Sequence, residues 1–185
     1  MRHGRTDWNR DGRFQGHADI ALNDEGRAQA AHLARALAQT HFDRCVSSDL
    51  SRALETARAI CNATPAAIEV DPRWREFHFG DWEGLTWVQI VASTPSLRGL
   101  TGTAVDVYAP PRGETYADVR ARVADALDAC SASDGHVLIV THAGPLHAAL
   151  DVLLGDGKMK TRLAPAGITR LARVGEAWNL LSLGQ

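Results

Sequence analysis

The sequence predicts an α/β fold, a three-layer α/β/α arrangement whose central sheet is mostly parallel. Short apolar runs with β-branched residues alternate along the chain with longer segments of helical apolar periodicity, which is typical of parallel sheets covered by helices. The run 137–140 contains only Val, Leu and Ile, as expected of a strand covered on both faces. Because the 185 residues contain no repeat, linker or low-complexity tract, we expect residues 1–185 to form one domain.

Four longer helices are predicted from apolar residues that recur every three or four positions. The first, over 24–39, follows Asn23, a credible N-cap because Asp24 and Glu25 place negative charge in the first turn. The pattern Thr-x-x-Asp at 115 resembles a capping box and predicts the start of the third helix. The second, third and fourth helices have their apolar faces over 50–60, 119–130 and 146–154.

The strands are predicted from short apolar runs bounded by polar residues or glycine. Residues 1–22 are rich in Arg, Gly, Asp and His and lack an apolar period, so we expect a loop there. The aromatic stretch 74–87 is expected to form a second loop that leads into a short helix. The segment between Pro95 and Pro111 has no assignment. The predicted strands are 45–47, 68–70, 137–140, 168–174 and 177–183.

Composition excludes several classes of protein. The net charge of -2 argues against a nucleic-acid-binding function, because such domains carry a basic surface. No apolar run approaches the roughly 18–20 residues of a membrane span, and no signal peptide is recognisable, so we expect no membrane association. Three scattered cysteines without a C-x-x-C pair favour a cytoplasmic location.

Polar residues follow two of the predicted strands at the point where each strand ends. Ser47, Ser48 and Arg52 follow the first strand, and His142 follows the strand 137–140. Ligands of parallel sheets gather beyond the carboxyl ends of the strands. We therefore expect both groups of side chains to lie at one ligand site.

A tripeptide near the start of the chain carries residue types suited to phosphoryl transfer. The imidazole of His3 can attack phosphorus, because an ordinary pKa of about 6.5 leaves one ring nitrogen unprotonated at neutral pH. Arg2 can neutralise phosphate oxygens, and Gly4 lets the backbone approach closely. Taken alone, the tripeptide is more often a frayed basic terminus, and a lone Arg52 or Glu76 is more often a surface charge.

Six blocks of sequence follow one another in a distinctive order. They are RHGRTDWN at 2–9, FQG at 14–16 with Leu22 and Gly26, SSDLSRALETA at 47–57, REFHFGDWEG at 75–84, YAPPRGE at 108–114 and VTHAG at 140–144. Together they resemble the histidine phosphatase superfamily, the phosphoglycerate mutase-like enzymes, and they are most similar to its broad-specificity phosphatases. Each block alone is weak evidence for the family, but the combination covers nearly the whole chain and is specific to it.

The resemblance implies a phosphomonoester hydrolase that works through a phosphohistidine, without a metal or a cofactor. His3 would be the nucleophile, and Glu76 would protonate the leaving oxygen and then activate water. The start of the helix after His142 could also place backbone N–H groups around an anion. His142 would be the third catalytic residue. The phosphate-binding residues would be Arg2, Asn9, Arg52 and Gly16.

The expected substrate is a small phosphorylated metabolite whose identity the sequence leaves open. A phosphoglycerate mutase and an α-ribazole phosphatase are alternatives within the family, and an inactive phosphate-binding protein is the alternative from another class. Mutases generally carry extra segments around the site, so the short stretch between Gly84 and Gly113 favours hydrolysis. The oligomeric state stays open, with a homodimer as one option.

Two features depart from the family pattern. Arg5 stands where the family usually has an acidic residue, which can change loop pairing or substrate preference. A hydrophobic strand normally precedes the Arg-His-Gly block, whereas only Met1 and Arg2 stand before His3. Loss of a central strand would leave unpaired edges, so we expect either that the reading frame begins upstream of Met1 or that the chain is a truncated product.

Overall fold

The computed structural model describes residues 1–62, 67–99, 109–131, 135–155 and 163–184. Helices and strands are interspersed along these residues. The helices are α1 (Asp7–Arg10), α2 (Asp24–Leu37), α3 (Ser51–Cys61), α4 (Trp87–Ser93), α5 (Tyr116–Ser131) and α6 (Ala143–Leu154). The strands are β1 (Arg44–Ser47), β2 (Ile68–Val70), β3 (Val137–Val140), β4 (Arg170–Val174) and β5 (Ala177–Ser182). Residues 100–108 lie outside the described ranges. They belong to the segment between Pro95 and Pro111 that has no assignment, and Tyr108 is also the first residue of the block at 108–114.

A parallel sheet in the order β2-β1-β3 forms the centre of the fold. Beside β3, Arg2 forms an isolated parallel bridge with Thr141. The His3 N–H donates to the Thr141 carbonyl at 2.9 Å, and the Thr141 N–H donates to the Met1 carbonyl at 2.9 Å. Residues 1–3 therefore run parallel to the chain at the end of β3.

Helices cover both faces of the sheet, because successive strand residues point to opposite sides. On one face, Cys45 and Val140 pack against α2 and α3. On the other face, Val46 packs against α5 and α6. The three-layer α/β/α prediction is confirmed. Within the described ranges, every helix is too short or too polar to cross a lipid bilayer.

The structure departs from the predicted elements in three places. Helix α6 begins at Ala143, earlier than predicted, because Pro145 is tolerated in a first turn whose N–H groups lack helical partners. Helix α1 lies inside the expected loop; a capping box between Thr6 and Asn9 starts it, and four residues are too few to show a period. Strands β4 and β5 pair antiparallel as a sheet of their own. The predicted helix starts at Asn23 and Thr115 are confirmed.

Candidate active site

A cavity of about 190 Å³ opens at the carboxyl edge of the central sheet, where the predicted site residues converge. Seven residues were expected at this site. Two of them, Gly16 and His142, stand behind the cavity wall and contact residues that line it. The five that line it are Arg2, His3, Asn9, Arg52 and Glu76.

His3 is held as a neutral imidazole. Its side chain is buried, and Nδ1 lies 2.6 Å from the Gly4 carbonyl oxygen. Because a carbonyl oxygen only accepts, Nδ1 carries the proton and Nε2 keeps its lone pair. Burial, with the positive charges of Arg52 and Arg2, lowers the pKa of His3 well below 6.5. Nε2 is therefore available as a nucleophile at neutral pH.

Arg52 is fully buried in the first turn of α3. Its Nη1 and Nη2 donate to the carbonyls of Ala18 at 2.9 Å and Gly16 at 2.8 Å, and its Nε donates to Nδ1 of His142 at 3.2 Å. Burial lowers the pKa of Arg52 to about 10, which leaves the guanidinium charged at neutral pH. Gly16, which was expected to bind phosphate, orients this arginine in the structure.

Arg2 brings a second guanidinium to the cavity from its bridge beside β3. Its Nη1 donates to the Leu163 carbonyl at 2.6 Å, which limits the movement of the side chain. Arg2 and Arg52 thus share the cavity with His3. Guanidinium groups match the geometry of phosphate oxygens and stay charged across the working pH range.

His142 stands behind His3 and Arg52. Its ring is fully buried, and its centroid lies 5.0 Å from that of the His3 ring. Nδ1 accepts from Arg52, so the neutral ring carries its proton on Nε2, which lies 2.9 Å from the Ser48 hydroxyl. Burial and the charge of Arg52 lower the pKa of His142 well below 6.5. Direct contact with a phosphoryl oxygen would require Nε2 to exchange Ser48 for the ligand.

Glu76 is held at the N-terminus of α6. Its carboxylate accepts from the backbone N–H groups of Ala143 at 3.2 Å, Gly144 at 3.0 Å and Phe77 at 2.9 Å. The positive end of a helix dipole favours an anion at this place. This helix start was expected to hold an anion, and in the structure it holds the carboxyl group of Glu76.

Comparison with known proteins identifies the family. Residues 1–185 match the model of the histidine phosphatase superfamily, branch 1. The chain belongs to the histidine phosphatase superfamily. The resemblance inferred from the six sequence blocks is confirmed.

Relatives of this histidine phosphatase include enzymes with phosphatase names. The glucosyl-3-phosphoglycerate phosphatase of Mycobacterium tuberculosis is 37% identical over 193 residues, which cover 98% of this chain and 83% of the relative. The metal-independent phosphoserine phosphatase of Arabidopsis thaliana is 36% identical over 154 residues, which cover 80% of this chain and 64% of the relative. A mycobacterial glucosyl-3-phosphoglycerate phosphatase solved with inorganic phosphate has a TM-score of 0.87 and 33% identity. The match covers 100% of this chain and 94% of the solved one. The chain is a phosphomonoester hydrolase of small phosphorylated metabolites.

Glu83 organises the loop that orients Arg52 in this histidine phosphatase. Its Oε1 accepts from the His17 N–H at 2.8 Å and its Oε2 from the Ala18 N–H at 2.8 Å. Gly16 has a φ of 53°, and a Cβ there would overlap the Glu83 carboxylate. Glu83 has no role predicted from the sequence, although the block at 75–84 contains it, because a block does not reveal contacts.

Side chains near the start of the chain hold the other loop of the cavity. The carbonyl oxygen of the Asn9 amide accepts from the Thr6 N–H at 3.2 Å, which leaves the amide NH₂ as the group suited to a phosphate oxygen. The Thr6 hydroxyl donates to Gln15 at 2.9 Å. The Arg5 guanidinium turns to α2, where it pairs with Glu25 at 2.9 Å. The unusual arginine therefore acts in loop pairing.

Gly144 has no room for a side chain, because a Cβ there would lie 2.5 Å from Oε1 of Glu76. We expect Gly144→Ala to displace the carboxyl group by on the order of 1 Å and to lower kcat for an alkyl phosphate by about 10²-fold. Steady-state kinetics measures this effect. In a Glu76→Gln background the same change should have no further effect, and additive losses would show that it acts elsewhere.

Proposed function

We propose that this histidine phosphatase transfers the phosphoryl group of a small metabolite to Nε2 of His3 and then to water. One observation carries the assignment of residues. A buried neutral His3, with its Nδ1 proton engaged by the Gly4 carbonyl, shares one cavity with Arg2, Arg52 and Glu76. A nucleophile, positive charge for the phosphoryl oxygens and a proton carrier are the three groups that the reaction needs.

In the first step, Nε2 of His3 attacks phosphorus, and the bond between phosphorus and the ester oxygen breaks. Arg2 and Arg52 neutralise the charge on the phosphoryl oxygens. Glu76 acts as the general acid and gives a proton to the leaving oxygen, which departs as an alcohol. The products are phosphohistidine and an ionised Glu76.

In the second step, Glu76 takes a proton from a water molecule, whose oxygen attacks the phosphorus of the phosphohistidine. The bond between Nε2 and phosphorus breaks, and its electron pair returns to the imidazole of His3. Inorganic phosphate leaves, and Glu76 is protonated again. Each side chain thus returns to its starting state after one turnover.

No metal is needed in this mechanism, because Arg2 and Arg52 supply the positive charge. Hydrolysis of p-nitrophenyl phosphate should therefore continue in the presence of a chelator. Phosphate that stays on the protein after a quench, labile in acid and stable in base, should identify the phosphohistidine. Activity that disappears with the chelator and returns with added metal would overturn the proposal.

The same assays separate the alternatives. A mutase would return the phosphoryl group to a second oxygen of the substrate, so phosphorus NMR would show isomerisation of a phosphoglycerate rather than release of inorganic phosphate. An α-ribazole phosphatase would prefer α-ribazole phosphate in a panel of metabolites. An inactive binding protein would bind phosphate without turnover.

We also propose that the preferred substrates carry a carboxylate near the phosphate. Arg13 lines the cavity and donates to the Gly84 carbonyl at 2.7 Å, and no acidic side chain of the described residues pairs with it. Phosphoglycerate and phosphoserine groups, named in the relatives, both contain a carboxylate. Arg13→Gln should raise KM for phosphoserine about tenfold, the effect of losing about 1.4 kcal/mol, but not KM for glycerol phosphate. Equal changes for both substrates would refute this role.

We propose a cytoplasmic location for the chain, on the support of its three scattered cysteines. Its net charge of -2 supports a dissolved small molecule, rather than a nucleic acid or a membrane, as its partner. Sedimentation of the purified protein would decide between a monomer and a homodimer.

A further inference from the structure

The segment that carries Glu76, residues 75–79, belongs to no helix or strand. Side chains from other parts of the protein hold it instead. The backbone N–H groups of the three residues after Glu76 each donate to a carboxylate, at distances of 2.8 to 3.2 Å. The acceptors are Glu76 itself, Glu114 and Glu83.

Arg122, on α5, holds three carbonyl groups in and next to this segment. Its Nη1 donates to the carbonyls of Arg73 and Arg75, both at 2.7 Å, and its Nη2 donates to the carbonyl of Glu76 at 3.0 Å. A guanidinium is planar and directs five N–H donors, so it can fix several carbonyls at once. The peptide of Glu76 is therefore tied to α5.

Glu114 holds Arg122 in turn. The Nε of Arg122 donates to Oε1 of Glu114 at 2.8 Å and its Nη2 to Oε2 at 2.9 Å, a bidentate pair. The same carboxylate accepts from the His78 N–H at 2.8 Å. With these contacts, all five N–H groups of Arg122 have an acceptor. Both side chains are mostly buried, with exposed fractions of 17% and 21%.

We propose that Arg122 and Glu114 are a positioning pair that fixes Glu76 for proton transfer. This inference rests on the proposed function, in which Glu76 gives and takes the proton. Proton transfer needs an approach of about 2.6–3.2 Å between heavy atoms, and a displacement of about 1 Å can cost about 10²-fold in rate. Arg2 and Arg52 reach the cavity from other elements, so release of this segment should slow proton transfer and leave phosphate binding almost unchanged.

Two substrates with different leaving groups test the pair. An alkyl phosphate needs a proton from Glu76 when its oxygen leaves, whereas p-nitrophenol is acidic enough to leave as the anion. In Arg122→Met, kcat for an alkyl phosphate should fall about 10²-fold, with little change in KM. The initial burst of p-nitrophenolate, which reports phosphorylation of His3, should slow by less than about threefold, since it needs no proton transfer. Arg122→Lys, which keeps a donor, should recover part of the alkyl phosphate activity.

Arg44 offers a matched control. It forms a bidentate pair with Glu69 at 2.9 and 2.7 Å and donates to the Ala129 carbonyl of α5 at 3.2 Å, but it lies at the amino end of β1. Arg44→Met should leave kcat for the alkyl phosphate and the burst rate with p-nitrophenyl phosphate unchanged. Should Arg122→Met fail to fold in a urea titration, Glu114→Gln weakens the same pair more mildly and should show the same difference between substrates.

Two results would overturn the positioning role. They are equal losses for both substrates in the folded Arg122 or Glu114 variants, and an equal loss in Arg44→Met. The failure of the proposed function is seen separately, in the unsubstituted protein. In that case the unsubstituted protein would form no phosphohistidine and hydrolyse neither substrate.

Discussion

Replacement of His3 with alanine should lower kcat for phosphate monoesters by on the order of 10⁵-fold, because it removes the atom that bonds to phosphorus. The arginines and Glu76 would remain, but the described cavity wall contains no second histidine that could replace His3 as the nucleophile. Rapid-quench measurements should therefore find no phosphate on the protein. His3→Gln should lose the same activity, since an amide is not nucleophilic.

A histidine away from the site serves as the control. His32 is exposed on α2, and His32→Ala should keep both the activity and the trapped phosphate. Urea titrations of all three variants show whether the fold is intact. A folded His3→Ala protein with the activity of the unsubstituted chain would exclude the phosphohistidine route.

Replacement of Arg52 with methionine should have the second-largest effect, about 10²–10³-fold on kcat, because one fixed positive charge is lost from the transition state. The change should also destabilise the fold. It leaves the Gly16 and Ala18 carbonyls and Nδ1 of His142 without their donor, at a cost of about 1–3 kcal/mol for each buried acceptor. Steady-state kinetics and urea titration measure the two effects separately.

Arg52→Lys separates charge from geometry. A lysine keeps the positive charge but cannot supply three donors in one plane, so we expect an intermediate activity and a loss of stability close to that of Arg52→Met. Arg27 on α2, which is exposed and pairs with Glu55, provides the control, and Arg27→Met should change neither property. Unchanged turnover in a folded Arg52→Met protein would remove this residue from the mechanism.

Local patterns predicted the secondary structure well. Apolar periodicity and the residues Asn23 and Thr115 located helix starts, because caps and amphipathic faces are properties of neighbouring residues. Helix α1 could not be predicted, because its single turn is stabilised by polar side chains without an apolar period. The same limit explains the late start predicted for α6, where Gly144 and Pro145 are poor helix formers within a sequence window.

The family blocks predicted which residues meet at the cavity, but not how they contact one another. Arg52 and His142 are 90 positions apart, and nothing in either block shows that the histidine accepts from the arginine. Nor does a block reveal that Gly16 offers a carbonyl to Arg52 rather than an N–H to phosphate. Arg122 lies outside every block, so its five hydrogen bonds became visible only in three dimensions.

The single turn at the start of α6 serves two chemical tasks. His142 supports the arginine that binds phosphate, and the next two peptide groups support the carboxyl group that moves protons. Insertion of one residue here would rotate the imidazole by about 100° around the helix axis and withdraw the N–H donors at the same time. Directed evolution toward new substrates should therefore leave this turn unaltered and collect its changes elsewhere on the cavity wall, around Arg13 and Phe14.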